Sequence, residues 1–169
     1  FKINTSTLEL FIKKIKYKGR FLFLSTSEIY SGLEGKIKED KVGTTNTNHP
    51  RACYIESKRG GETLLNLYKN IFKFEPVSAR LCLAYGPGVK KNDERVLHQF
   101  INKALKEKKI NMLDSGKSLR SYIYITDAIK MLINVLFFGK KSLYNIGGKQ
   151  IISIKDLAKK ISKILKENF

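Results

Sequence analysis

Apolar positions Leu8, Phe11, Ile12 and Ile15 recur at helical spacing, and Gly19 closes that segment ahead of the apolar run RFLFLST. The pattern predicts a helix feeding a short strand. A strand with no polar alternation belongs in a parallel sheet covered on both faces. Residues 31–50 carry Gly32, Gly35, Gly43, Pro50 and a TTNTN stretch without a sustained period, so they read as a long surface loop, the kind that often carries function. A helix is expected from Ala52 to about Phe72, and Pro76 then opens the strand VSARLCLAY, closed by Gly86, Pro87 and Gly88. Strand, helix, strand with a right-handed connection is the α/β pattern. Downstream, the periodicity predicts a helix near Glu94 to Lys108 and a short strand at Ile110 to Leu113. LRSYIYI alternates like a half-exposed strand, and Thr126 is placed to cap the helix DAIKMLINVLFF. YNIGG reads as a brief strand and turn, and Ser153 with Asp156 resembles a capping box for the last amphipathic helix.

Composition narrows the classes. With 169 residues, 42% of them hydrophobic, the chain can bury a core. No apolar run approaches the roughly 20 residues of a membrane span, so no membrane association is expected. The opening FKINTSTLEL has neither a start methionine nor a signal-peptide core, which reads as an interior cut. Cys53 and Cys82 are too few for a disulfide framework and lack C-x-x-C spacing; a cytoplasmic setting and no metal are expected. A net charge of +18 raises nucleic acid as a partner. Only Arg20, Arg51, Arg59, Arg80, Arg95 and Arg120 are arginines, however, and the lysines fall between apolar positions of helical segments such as KALKEKK. Solvated helix faces explain that distribution, and no nucleic acid partner is expected.

Tyr54 and Lys58 stand four apart on a predicted helix, so they share one face. A phenol serves as a base at neutral pH only if its pKa near 10 falls by about 3 units, worth roughly 4 kcal/mol. A neighbouring ammonium and a bound cationic ring favour the phenolate in that way. Alone, a Tyr-x-x-x-Lys pair is common on solvated helix surfaces. The segment LSTSEIY adds context, because Ser25, Thr26, Ser27 and Glu28 fall at the carboxyl end of an apolar strand, where open α/β sheets bind ligands. By itself that segment is more often a polar strand-to-loop cap.

Taken together, LSTSEIY, PRACYIESKRGGETL, ARLCLAYGPG, LRSYIYITDAI, and YNIGG followed by SIKDLAKKI resemble the extended short-chain dehydrogenase/reductase family, the epimerase, dehydratase and decarboxylase group that acts on sugar nucleotides. The resemblance covers nearly all of the chain in the family's order. It implies an α/β fold: the C-terminal portion of a Rossmann-type doubly wound parallel sheet, residues 1–88, plus a small α/β substrate-binding domain, mainly residues 89–169, with interleaved elements allowed. It also implies NAD as cofactor, Tyr54 as base, Lys58 on the nicotinamide ribose, Thr26 bridging tyrosine and sugar, and Ser25 beside the cofactor. Ser27, Tyr85, Arg95 and Arg120 would contact a nucleotide-sugar substrate, most simply a UDP-sugar. The chemistry implied is oxidation at C4 of the sugar, change of the ketone, and return of the hydride.

The reaction turns on three residues. Dehydratases of the family carry Asp-Glu after the threonine, and Ser27 cannot supply that acid. UDP-glucuronate decarboxylases show Thr-Ser-Glu, an R-x-C-Y-x-E-x-K-R block and an arginine at the place of Arg120, all present here. A 4-keto uronic acid loses carbon dioxide readily, so Glu28 and Arg120 would orient the carboxylate and assist protonation at C5. On spacing alone, Arg120 fits a surface salt bridge equally well. Leu83 replaces a usual asparagine, and Ser31 precedes Gly32 where glycine commonly follows the tyrosine directly, which keeps a 4-epimerase of surface-polysaccharide synthesis open. Gly60 and Gly61 inside the catalytic helix cost roughly 1 kcal/mol each against alanine. They suit either close approach of another helix, in the family a dimer partner's, or a tolerated kink. His98, Tyr144 and Asn145 read as structural. No G-x-x-G-x-x-G loop is present, so weak NAD binding and no turnover are expected of these residues alone, and a non-catalytic remnant that binds a nucleotide or pairs with a complete subunit is a third possibility.

Overall fold

In the computed structural model residues 1–15, 19–90 and 92–167 are described. The expected end of the first helix ahead of Gly19 falls on residues 16–18, outside them. Five helices and six strands follow in order: α1 (Ser6–Ile15), β1 (Arg20–Thr26), α2 (Ala52–Phe72), β2 (Glu75–Leu81), β3 (Leu83–Tyr85), α3 (Val96–Glu107), β4 (Leu119–Tyr124), α4 (Ile125–Phe138), β5 (Leu143–Ile146), β6 (Ile151–Ser153) and α5 (Ile154–Glu167). They divide into two compact units, residues 1–82 with 126–147, and residues 83–125 with 148–169. The chain thus crosses between units three times, after residues 82, 125 and 147.

The first unit is built on a parallel sheet of order β1-β2-β5, with Arg20 opposite Glu75 and Thr26 opposite Leu81. Its main core joins Leu8 and Ile12 of α1, Phe23 of β1, Leu65 and Tyr68 of α2, and Phe74. A fully buried side chain of this kind contributes about 1.5–3 kcal/mol. Helix α2 ends where Lys73 takes a left-handed conformation at φ 52°, the usual geometry for stopping a helix although lysine is an uncommon occupant.

The second unit pairs β3 parallel and β6 antiparallel to β4. Its core is the packing of α3 on α5 through Phe100, Leu157, Ala158 and Ile161. Half of the expected capping box forms: the Asp156 N–H donates to Ser153 Oγ at 3.0 Å, while the Asp156 carboxylate accepts from the Ser153 hydroxyl, at 2.6 Å, in place of its backbone N–H.

Three local expectations need correction. The run VSARLCLAY is two strands, because the Cys82 N–H extends the β2–β5 ladder by bonding the Ile146 carbonyl, and Leu83 then pairs with Tyr122 in the other sheet. Residues 110–113 form no strand, since Ile110 packs on the Phe100 cluster while Leu113 is almost fully exposed. Thr126 lies within α4 rather than capping it, as β4 runs directly into the helix at Ile125.

Candidate functional site

The carboxyl end of β1 is polar and buried, with Ser25 4% and Thr26 6% exposed. Thr26 leaves the strand in extended conformation, and its Oγ1 accepts the Glu28 N–H at 3.2 Å, starting the 3₁₀ turn Ser27–Tyr30. Ser27, half-buried, is the first residue of that turn. The Ser25 hydroxyl has no hydrogen-bond partner, an orphaned donor and acceptor at the end of a parallel strand.

Helix α2 brings Tyr54 and Lys58 to this edge. Lys58 Nζ donates to the Leu24 carbonyl at 2.7 Å and lies 5.0 Å from the Phe23 ring centre and 6.0 Å from that of Tyr54. Burial holds the Lys58 ammonium below its ordinary pKa. The glycines explain how the helix gets close enough. A Cβ on Gly61 would stand 2.4 Å from Phe23 Cζ and 2.9 Å from the Asn4 carbonyl, so the missing side chain admits β1 and the N-terminal turn of this same chain. Gly60 is less constrained, its Cβ position lying 3.2 Å from Thr5 Cγ2. The close approach at Gly61 is therefore made within the chain, one turn from Lys58, and not by a helix of a second copy.

A residue with no role assigned from its motif completes the edge. Arg51, immediately before α2, holds Glu28 with two nitrogens, Nε to Oε2 at 2.9 Å and Nη2 to Oε1 at 2.6 Å. Its guanidinium lies 4.5 Å from the centre of the Tyr54 ring, a cation–π distance. The Glu28 carboxylate, outweighing the opposing effect of burial, holds Arg51 above its ordinary pKa, with Tyr54 adding slightly. The motif containing Arg51 was legible, but its contact to Glu28 spans 23 positions and has no local signature.

Tyr85, Arg95 and Arg120 belong to the second unit. Tyr85 lies edge-on to Tyr124 and Tyr122, at 5.5 and 6.3 Å between ring centres. Arg95 forks onto Asp93, with Nη2 to Oδ2 at 2.7 Å, and drives the Asp93 carboxyl down to about 2. Arg120 is exposed, donates to its neighbour Leu119, and has no carboxylate partner among the described residues.

The long loop is pinned by arginines. Arg80 of β2, buried, donates to the carbonyls of Glu39 and Lys41, to the Tyr30 hydroxyl and to Glu62. Arg59 Nη2 reaches the carbonyls of Ile29 and Gly43. Asn145 accepts from Tyr30, and its backbone N–H donates to the Glu39 carboxylate, which holds that group below the usual carboxylate range. Among the described residues no helix is long and apolar enough to cross a membrane, and no cluster of three His, Cys, Asp or Glu could hold a metal.

The residues so brought together are a Tyr-x-x-x-Lys pair on a helix packed beside the Thr-Ser-Glu end of a parallel strand. The model of the NAD dependent epimerase/dehydratase family matches residues 3–147, and the chain belongs to that family. It is 32% identical over 166 residues to UDP-glucuronic acid decarboxylase 1 of Xenopus tropicalis, covering 97% of this chain and 39% of that protein. To dTDP-D-glucose 4,6-dehydratase of Dictyostelium discoideum it is 33% identical over 162 residues, or 90% and 36% of the two chains. Among solved structures it superposes with a TM-score of 0.81 and 28% identity on UDP-glucuronic acid 4-epimerase from Bacillus cereus in complex with UDP-glucuronic acid and NAD, over 95% of this chain and 51% of that one. The chain spans about two fifths of those curated relatives and about half of that solved chain.

Proposed function

We propose that this chain carries the catalytic edge of an NAD-dependent enzyme that decarboxylates UDP-glucuronate through a 4-keto sugar. The observation that supports the reading is the grouping of Thr26, Glu28, Tyr54 and Lys58 near one strand end, with Arg51 bonded to Glu28 and lying 4.5 Å from the centre of the Tyr54 ring. The residues present fit part of the cofactor: the unpartnered Ser25 hydroxyl and the desolvated Lys58 ammonium are the groups that would hold its nicotinamide end, while no glycine-rich phosphate loop occurs in the sequence. When bound, NAD supplies reversible hydride acceptance at C4 of the sugar. Tyr54 takes the C4 hydroxyl proton, Thr26 holds that hydroxyl in line, and Lys58 stabilises the phenolate electrostatically. Once C4 is a ketone, the C5 carboxylate is β to it, so the C–CO₂ bond breaks with its electrons passing into the enolate. Glu28 orients the sugar beside C5, where a proton is then taken up, and Arg120 is the proposed contact for the carboxylate. Tyr85, Arg95 and Ser27 are proposed substrate contacts, and exposed Leu67 and Ile71 on α2 support a homodimer through that helix.

The 4-epimerase reading is supported by the Bacillus cereus likeness, and the same residues would serve it up to the ketone. Incubating the full-length protein with NAD and UDP-glucuronate separates the two. A UDP-pentose and carbon dioxide are expected; UDP-galacturonate in their place would make the protein an epimerase, and neither product beside normal folding would favour a non-catalytic nucleotide-binding remnant.

A further inference from the structure

We propose that Arg51 is a positioning residue of this site, tying the Glu28 carboxylate to the Tyr54 ring so that acid–base group and phenol keep one fixed relation. The inference rests on the reading of Tyr54 and Glu28 given under Proposed function. Both ends of the tie are anchored. Glu28 is held from its backbone, whose N–H bonds Thr26 Oγ1. Arg51 is held from its own backbone, its N–H donating to His49 Nδ1 at 3.1 Å and its carbonyl accepting the Ile55 N–H at 3.0 Å. Between those anchors the guanidinium makes two bonds to the carboxylate, and its carbon sits 4.5 Å from the centre of the Tyr54 ring.

Stability does not account for this geometry. The Arg51 side chain is 53% exposed and that of Glu28 35%, and ion pairs so accessible to water contribute little to folding. Positioning does account for it. A free glutamate samples several rotamers, and a reacting group displaced by about 1 Å loses on the order of 100-fold in rate. A planar fork fixes direction as well as distance, which an ammonium cannot do.

The test has two arms. In the first, tyrosine is labelled with ¹³C at the ring, the Tyr54 signal is assigned from Tyr54→Phe, and its position is compared in Arg51→Met and Glu28→Ala. Both variants should move that signal by similar amounts, because losing the carboxylate releases the guanidinium from the ring. A Tyr54 signal unmoved in Glu28→Ala would overturn the proposal. In the second arm, turnover is measured on the full-length protein with NAD and UDP-glucuronate. Arg51→Met should lower kcat roughly 10- to 100-fold with KM changed less than about threefold, Arg51→Lys should not restore it, and the double variant with Glu28→Ala should be no slower than Glu28→Ala alone. A rise in KM without loss of kcat, or additive losses, would make Arg51 a substrate contact or an independent group and sink the tie. If the wild-type protein turns over no UDP-sugar, the functional reading fails, and the tyrosine signal still decides whether Arg51 couples the two groups.

Discussion

Two arginines in this chain make the same three-part arrangement with opposite relations to water. Arg80 holds Glu62 at 3.1 and 2.8 Å and lies 4.9 Å from the centre of the Tyr30 ring, while Arg51 holds Glu28 at 2.9 and 2.6 Å and lies 4.5 Å from that of Tyr54. The side chains of the first pair are 3% and 15% exposed, those of the second 53% and 35%. Arg80 makes three further hydrogen bonds, to the Tyr30 hydroxyl and the carbonyls of Glu39 and Lys41, so its charge is a fixed internal brace. Arg51 keeps an open side toward solvent at the strand end where ligands bind in such sheets. The buried arrangement braces the fold, and the exposed one is the arrangement proposed to order the site.

The comparison breaks most visibly at Glu62. Glu62→Gln leaves a buried guanidinium without its counter-charge and should lower unfolding free energy by about 3–5 kcal/mol in urea titration, against under about 1 kcal/mol for Glu28→Gln. Equal losses would show that burial does not separate the two pairs. Next comes Gly61→Ala, whose methyl meets Phe23 and a backbone carbonyl; destabilisation of about 1–3 kcal/mol is expected, whereas Gly60→Ala should be neutral or gain up to about 1 kcal/mol of helix propensity. Acid probes the loop brace more gently. Glu39 is held below its ordinary value of 4.5 by the Asn145 N–H, so its contribution is complete above that value and is lost as pH falls through the lower folded-state value. Stability measured from about pH 6 down to about pH 3 should fall less steeply in Glu39→Gln than in wild type; an unchanged slope would remove Glu39 from the brace. The same sign holds for Asp93, whose contribution is complete above its ordinary value of 3.8 and is lost progressively as pH falls from there to about 2, and Asp93→Asn should flatten that last, smallest part of the curve.

What the sequence made legible follows the range of each interaction. Helices α1, α2 and α5 and strand β1 carry uninterrupted period and punctuation, and Tyr54 and Lys58 are read from one helical face. The division of VSARLCLAY between two sheets was not legible, because both halves are apolar and only the distant partners β5 and β4 decide where the strand changes hands. The role of Arg80 in that run had no local signal, since its partners stand 18 to 50 positions away. Gly60 and Gly61 suited either close approach of another helix or a tolerated kink, and the neighbour at Gly61 is Phe23 of β1 with the Asn4 carbonyl, because a helix cannot indicate from its own residues which neighbour fills the space its glycine leaves.

The most direct test of the account is release of labelled carbon dioxide from UDP-glucuronate carrying the label in its carboxyl group, measured on the full-length protein with NAD, in wild type and Tyr54→Phe. The account predicts release by the wild type and a loss of at least about 100-fold in Tyr54→Phe. Release that survives the loss of the Tyr54 hydroxyl, or a wild type that converts UDP-glucuronate without losing carbon, would contradict it.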